Sequence, residues 1–61
     1  MPVVIVEMWD GRTIEQKKVL VEGITATFGK IGVPAEVVHV IINDVPRYNW
    51  GTGGKLASEI K

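Results

Sequence analysis

Two apolar runs rich in Val and Ile dominate the hydrophobic pattern of the chain, and both predict β-strands. Residues 2–8 form the first run, and residues 36–43 form the second, which His39 interrupts. Such runs, almost free of polar positions, are typical of strands that are buried on both faces. A Trp-Asp-Gly-Arg turn signal at residues 9–12 ends the first strand.

The segment between the two runs has the period of an amphipathic helix. Thr13 and Gln16 form an S/T-x-x-E/Q capping box, which predicts that the helix begins there. Gly32 and Pro34 predict its end, after about 18 residues in all. The predicted apolar face consists of Leu20, Val21, Ile24, Phe28 and Ile31.

The order strand, helix, strand predicts a βαβ unit, whose strands are parallel in nearly every known case. Residues 46–54 are rich in turn-forming residues and predict a short hairpin, and residues 56–60 predict one helical turn. We therefore expect an α+β fold: a single βαβ unit with a short C-terminal hairpin, in one domain over residues 1–61. One helix cannot cover both faces of a two-stranded sheet, so we also expect an obligate oligomer.

Composition excludes several classes of function. Seven basic residues balance seven acidic ones, so no positive excess favours binding to nucleic acid. The absence of cysteine removes disulfides, thiolate zinc sites and iron–sulfur clusters. The apolar runs are far shorter than the roughly 20 residues that span a bilayer, and no basic leader segment is visible. We expect a cytoplasmic protein that binds neither nucleic acid nor membrane.

A glycine cluster at residues 51–55 invites comparison with phosphate-binding loops. A Walker A loop requires glycine where Asn49 stands and Ser or Thr where Leu56 stands. The dinucleotide-binding fingerprint also fails at Leu56. We therefore interpret the cluster as a hairpin turn.

Pro2 offers the most specific chemistry. Removal of Met1, which a small second residue permits, would make the secondary amine of Pro2 the N-terminus. Free α-amino groups titrate around 7.7–8.0, and burial or a nearby cation disfavours the charged form. Such an amine suits a general base at neutral pH. Taken alone, however, a proline in this position is more simply the start of a strand.

Three further side chains have both a functional and a structural interpretation. Arg12 could hold a carboxylate through two parallel hydrogen bonds, or it could be a solvated turn residue. Trp50 could form the apolar wall of a pocket, or it could be an exposed turn aromatic. His39, the only histidine, is more often a packed or interface residue in such a strand than a ligand.

Taken together, the segments resemble the 4-oxalocrotonate tautomerase family, whose members use an N-terminal proline. The resemblance covers nearly the whole chain in order: Met1-Pro2 before an apolar strand, then residues 11–13, 15–17, 40–42, 49–51 and 53–57. It implies a βαβ protomer in a homohexamer, arranged as a trimer of dimers. It also implies proton transfer without a metal or organic cofactor, in the degradation of aromatic compounds for the best-known members.

The resemblance also implies roles for individual residues. Pro2 is the general base and acid that converts a small enol or dienol carboxylate, such as 2-hydroxymuconate, to its conjugated ketone. Arg12 stands where the family binds a substrate carboxylate, and Trp50 stands where a family aromatic keeps the pocket dry. His39 replaces a second arginine that a neighbouring subunit contributes in the best-studied members.

The replacement at His39 predicts weak turnover of 2-hydroxymuconate or preference for another enol acid, because imidazole lacks the fork of a guanidinium. Arg47 or Lys55 could supply the missing charge. Relatives that remove halide from chloroacrylates carry an arginine and a glutamate where this chain has Trp9 and Thr52, so that chemistry is not expected. The alternative function is that of a non-catalytic hexameric binding or scaffold protein, or of a promiscuous member with another enol-acid substrate.

Overall fold

The computed structural model describes residues 1–60 and confirms the predicted βαβ unit. Strand β1 (Val3–Trp9), helix α1 (Ile14–Gly29) and strand β2 (His39–Val45) follow one another along the chain. The two strands pair in parallel over their whole length, with Val3 opposite His39 and Trp9 opposite Val45. Helix α1 is the crossover connection that a parallel pair requires.

The C-terminal segment confirms the predicted hairpin. Strand β3 (Gly51–Thr52) pairs antiparallel with strand β4 (Lys55–Leu56). Gly53 and Gly54 between them have φ values of +60° and +83°, as expected for a type I′ turn. The tail closes with a single 3₁₀ turn, Ala57–Glu59.

Both ends of α1 have the caps that the sequence predicts. The Thr13 hydroxyl accepts a hydrogen bond from the Gln16 backbone N–H at 3.1 Å, and the Gln16 side chain accepts one from the Thr13 N–H at 3.0 Å. At the other end, the N–H of Val33 bonds to the carbonyl of Phe28 at 3.2 Å. Gly32 turns the chain there with a φ of +89°, as in a Schellman motif.

The predicted boundaries of β2 and the position of Ile31 are wrong. Residues Ala35–Val37 form a 3₁₀ turn where the start of the strand was predicted. The Val37 N–H donates to the Pro34 carbonyl at 3.2 Å and closes this turn. The strand instead continues to Val45, since pairing with β1 stabilises its polar end. Ile31 lies beyond the end of α1 and is 74% exposed, so it is not part of the apolar helix face.

The two faces of the sheet differ. Alternate residues of β1, among them Val4 and Val6, are half-buried on the side of α1, which an ion pair between Lys17 and Asp44 ties to the end of β2. The other face is open. It exposes the following side chains: Val3, Ile5, Glu7 and Trp9 of β1, and His39, Ile41 and Asn43 of β2.

A single chain leaves far more surface exposed than a folded monomer of its mass. The accessible surface is 4769 Å², against about 3,900 Å² for a compact 6.7-kDa protein. The radius of gyration is 14.5 Å, against about 10.5 Å expected for this length. Within residues 1–60 only Ala57 is buried, at 2% exposure. These values confirm that one helix does not cover the sheet.

No helix in the described part of the chain combines the length and apolar character needed to span a bilayer.

We expect Thr13→Ala to lower the free energy of unfolding by about 1 kcal/mol, because it leaves the Gln16 N–H without its capping partner. Urea unfolding at a fixed protein concentration measures the change. Glu22→Ala, at an exposed position of the same helix, is the control and should change stability by less than about 0.5 kcal/mol. Equal losses in both variants would contradict a specific role for the cap.

Candidate active site

A depression of about 350 Å³ lies where the two parallel strands end. Because Trp9 is paired with Val45, the segments that follow β1 and β2 leave the sheet side by side. The depression is lined by Met8, Trp9, Asp10, Gly11, Arg12, Arg47 and Trp50. Two cationic and two aromatic side chains therefore meet at one end of the sheet.

The turn after β1 positions Arg12. The Asp10 N–H continues the ladder by bonding to the Val45 carbonyl at 3.1 Å. The chain then turns at Gly11, whose φ of +111° is a backbone conformation that residues with a side chain rarely adopt. Arg12 follows directly and precedes Thr13, the N-cap of α1. Its backbone is therefore held between the end of a strand and the start of a helix.

The aromatic wall of the depression is formed by Trp9 and Trp50, whose rings meet edge to face with centroids 6.2 Å apart and an interplanar angle of 83°. The guanidinium carbon of Arg47 lies 4.7 Å from the centroid of the Trp9 ring, in cation–π geometry. The backbone of Trp50 is fixed as well. Its N–H bonds to the Arg47 carbonyl at 3.2 Å, and its own carbonyl accepts the N–H of the buried Ala57 at 2.7 Å.

Both arginines of the depression are available to a ligand. Within residues 1–60, neither Arg12 nor Arg47 has a carboxylate oxygen within 4.0 Å; the ion pairs of the chain join Lys17 to Asp44 and Lys18 to Glu15. An anion that enters the depression therefore does not have to displace an existing partner. No group of three or more His, Asp or Glu side chains suited to a metal ion occurs in the part of the chain that the structure describes.

Pro2 and His39 lie at the opposite end of the sheet. The His39 N–H donates to the Pro2 carbonyl at 3.0 Å, at the point where the two strands begin. Seven residues of β1 separate this end from the depression, a distance of about 20 Å at 3.3 Å per residue. One chain thus brings Pro2 close to His39, and Arg12 close to Trp50, but it does not bring the two pairs together.

Sequence analysis did not identify Trp9 as a wall of this site, and it left Arg47 as one of two possible cations. A signal for both existed in the predicted parallel pairing, because residues that follow two adjacent parallel strands meet at one edge of a sheet. The register was needed to use it. Only the pairing of Trp9 with Val45 shows that Arg47 leaves the sheet beside the end of β1.

Comparison with known proteins places this arrangement in a family. The family model described as tautomerase enzyme matches residues 2–60. A 2-hydroxymuconate tautomerase of Comamonas testosteroni is 43% identical over 61 residues, which cover 98% of this chain and 97% of the relative. The chain belongs to the tautomerase family.

Among tautomerases, the solved structures that this chain resembles include 4-oxalocrotonate tautomerases. A structure of the 4-oxalocrotonate tautomerase isozymes from Methylibium petroleiphilum superposes with a TM-score of 0.85 at 43% identity, covering 93% of this chain and 94% of the other. A heterohexamer 4-oxalocrotonate tautomerase from Chloroflexus aurantiacus has a TM-score of 0.90 at 32% identity and full coverage of both chains. The resemblance to 4-oxalocrotonate tautomerases drawn from the sequence is confirmed.

Proposed function

We propose that this protein is a tautomerase that converts a small enol or dienol carboxylate, such as 2-hydroxymuconate, to its conjugated ketone through the amine of Pro2. The observation that supports this most directly is the depression that Arg12 lines together with two tryptophans, with no carboxylate partner for Arg12 within residues 1–60. Such a site binds a carboxylate and shields the rest of the ligand from water. A cytoplasmic location and a part in aromatic degradation stay predictions from the sequence.

The proposed reaction moves one proton and shifts electron pairs within the substrate. The amine of Pro2 takes the proton of the enol hydroxyl, and the electrons of the broken O–H bond form the carbonyl. The conjugated double bonds shift, and the resulting ammonium group returns the proton to carbon. Atoms and electrons balance without a metal or organic cofactor. The amine must be free, so Met1, which is exposed, has to be removed.

Arg12 and Trp50 serve this reaction in different ways. The guanidinium of Arg12 presents two parallel N–H donors to the substrate carboxylate and so fixes the orientation of the enol. Trp50 keeps water out, which disfavours the charged form of an amine and leaves Pro2 able to accept a proton. His39 lies beside Pro2 on the backbone and donates a hydrogen bond to the substrate oxygen, without the second donor of a guanidinium.

The proposed site needs two chains, because Pro2 and Arg12 of one chain are about 20 Å apart. Two copies related by a twofold axis can pair their strands antiparallel, which brings the start of a strand in one copy near the end of a strand in the other. Both strands of the sheet have a free edge for such pairing. The open face exposes Val3, Ile5 and Ile41, which supports further association, and we propose a homohexamer arranged as a trimer of dimers.

We expect Pro2→Ala to lower kcat for 2-hydroxymuconate by about 100-fold, because a flexible primary amine replaces the fixed secondary amine of the general base. The ultraviolet assay of ketone formation uses protein whose intact mass shows that Met1 is absent. Gel filtration verifies that the variant keeps the assembly of the wild type. Background rates in processed, assembled wild-type protein, with both 2-hydroxymuconate and phenylenolpyruvate, would instead favour the non-catalytic binding protein.

Ile5→Lys tests the assembly. Ile5 is 59% exposed on the open face of the sheet, and a charge there cannot be buried between subunits without a partner. We expect light scattering to show a smaller particle and the assay to show loss of turnover. Val19→Lys is the matched control, since Val19 is 68% exposed on α1. A full-size, active Ile5→Lys protein would refute the proposed assembly through this face.

His39→Arg tests the cost of the histidine. We expect kcat/KM for 2-hydroxymuconate to rise about tenfold or more, because the loss of one donor to a developing oxyanion typically costs a few kcal/mol. Steady-state kinetics measure the change, and His39→Gln, which keeps a hydrogen-bond donor without charge, is the matched control. Unchanged turnover and affinity in His39→Arg would show that position 39 does not limit the reaction.

A further inference from the structure

Arg47 takes no part in the proton transfer proposed above, although it lines the same depression as Arg12. The two arginines come from different places in the chain. Arg12 follows β1, whereas Arg47 begins the 3₁₀ turn Arg47–Asn49 after β2. Their guanidinium groups therefore reach the depression from separate backbone anchors.

Within residues 1–60, the orientation of Arg47 leaves its hydrogen-bond donors without a side-chain partner. Its guanidinium carbon lies 4.7 Å from the centroid of Trp9, so the aromatic ring occupies one side of the group. A guanidinium that stacks on a ring still presents its N–H groups at the edge. Trp9 is itself supported by the edge-to-face contact with Trp50. Among the residues that the structure describes, Arg47 is thus positioned by two aromatic rings and not by a salt bridge.

The charges around the depression favour a ligand with two negative groups. Its lining holds two guanidinium groups and a single carboxylate, that of Asp10, which lies farther than 4.0 Å from both in the described residues. Two like charges in one depression repel each other, and a ligand with a carboxylate at each end neutralises both. Lys55, the other cation considered from the sequence, is in β4 and does not line the depression.

We propose that Arg47 binds a second carboxylate in this site, as Arg12 binds the first, and that it selects acids with two carboxylates over acids with one. The proposal rests on the function proposed above and deepens it by assigning a specificity-determining residue. Arg12 holds one carboxylate and Arg47 holds the other, while Trp9 acts as a positioning residue that fixes the guanidinium of Arg47. A depression of about 350 Å³ is large enough for a six-carbon diacid.

Kinetics with two substrates test this selectivity. Arg47→Gln should lower kcat/KM for 2-hydroxymuconate about tenfold or more, the usual effect of losing a hydrogen bond to a charged group. Turnover of phenylenolpyruvate, which has one carboxylate, should change less than twofold. Lys18→Gln removes the same charge from an exposed position of α1 and should leave both rates unchanged. Equal losses for both substrates in Arg47→Gln would mean that both arginines bind one carboxylate, which overturns the proposal.

Binding of unreactive acids separates this proposal from the proposed reaction. Titration calorimetry compares adipate, a six-carbon diacid, with hexanoate, its single-carboxylate counterpart, on the assembled protein. We expect adipate to bind more tightly than hexanoate in the wild type, and Arg47→Gln to remove the difference. This result stands even if no substrate is turned over, in which case only the proposed reaction fails. No preference in the wild type, or a preference that survives Arg47→Gln, would overturn the proposed binding of a second carboxylate by Arg47.

Variants of Trp9 test how Arg47 is positioned. Trp9→Phe keeps an aromatic face under the guanidinium and should retain most of the preference for adipate. Trp9→Leu removes that face, and the preference should fall about two- to fivefold, as expected for an exposed cation–π contact. Lys55→Gln should leave the preference unchanged. Loss in Lys55→Gln with retention in Arg47→Gln would assign the binding of the second carboxylate to the hairpin instead.

Discussion

The parallel pairing of β1 with β2 decides where every other element of this chain lies. Parallel strands cannot be joined by a tight turn, so the chain needs the crossover helix α1 between them. The same pairing brings both strand starts to one end of the sheet and both strand ends to the other. Pro2 and His39 therefore share one end, while Arg12, Arg47 and the tryptophans share the opposite end.

This polarity links the proposed chemistry to assembly. A base at one end of a strand cannot act on a carboxylate held about 20 Å away at the other end, so an isolated chain cannot catalyse the proposed reaction. The same small sheet leaves one face, with exposed aliphatic side chains, that α1 does not cover, and only Ala57 is buried among residues 1–60. The same short parallel sheet therefore requires association for two reasons: to cover its open face and to complete the proposed site.

In the depression, an aromatic ring positions the charge of Arg47. Arg47 has no carboxylate partner among residues 1–60, and its charge is held against the ring of Trp9. A salt bridge would position the group equally well, but it would neutralise the charge that an incoming anion needs. A stacked guanidinium remains both fixed and available, which is the property that a preorganised anion site requires. His39 stands where the best-studied family members carry a second arginine, but the depression still holds two guanidinium groups, those of Arg12 and Arg47.

Features that depend on local interactions could be predicted from the sequence. These are the capping box at Thr13, the turn at Gly32 that follows α1, the hairpin turn and the βαβ order, together with the family resemblance. Three other features became visible only in the folded chain: the start of β2 at His39, the exposure of Ile31, and the contact of Arg47 with Trp9. The register of two distant strands brings Arg47 beside Trp9 and pairs His39 with Val3, and no short segment of the chain encodes that register alone. Ile31 is exposed because α1 ends before it and no other element of residues 1–60 covers it.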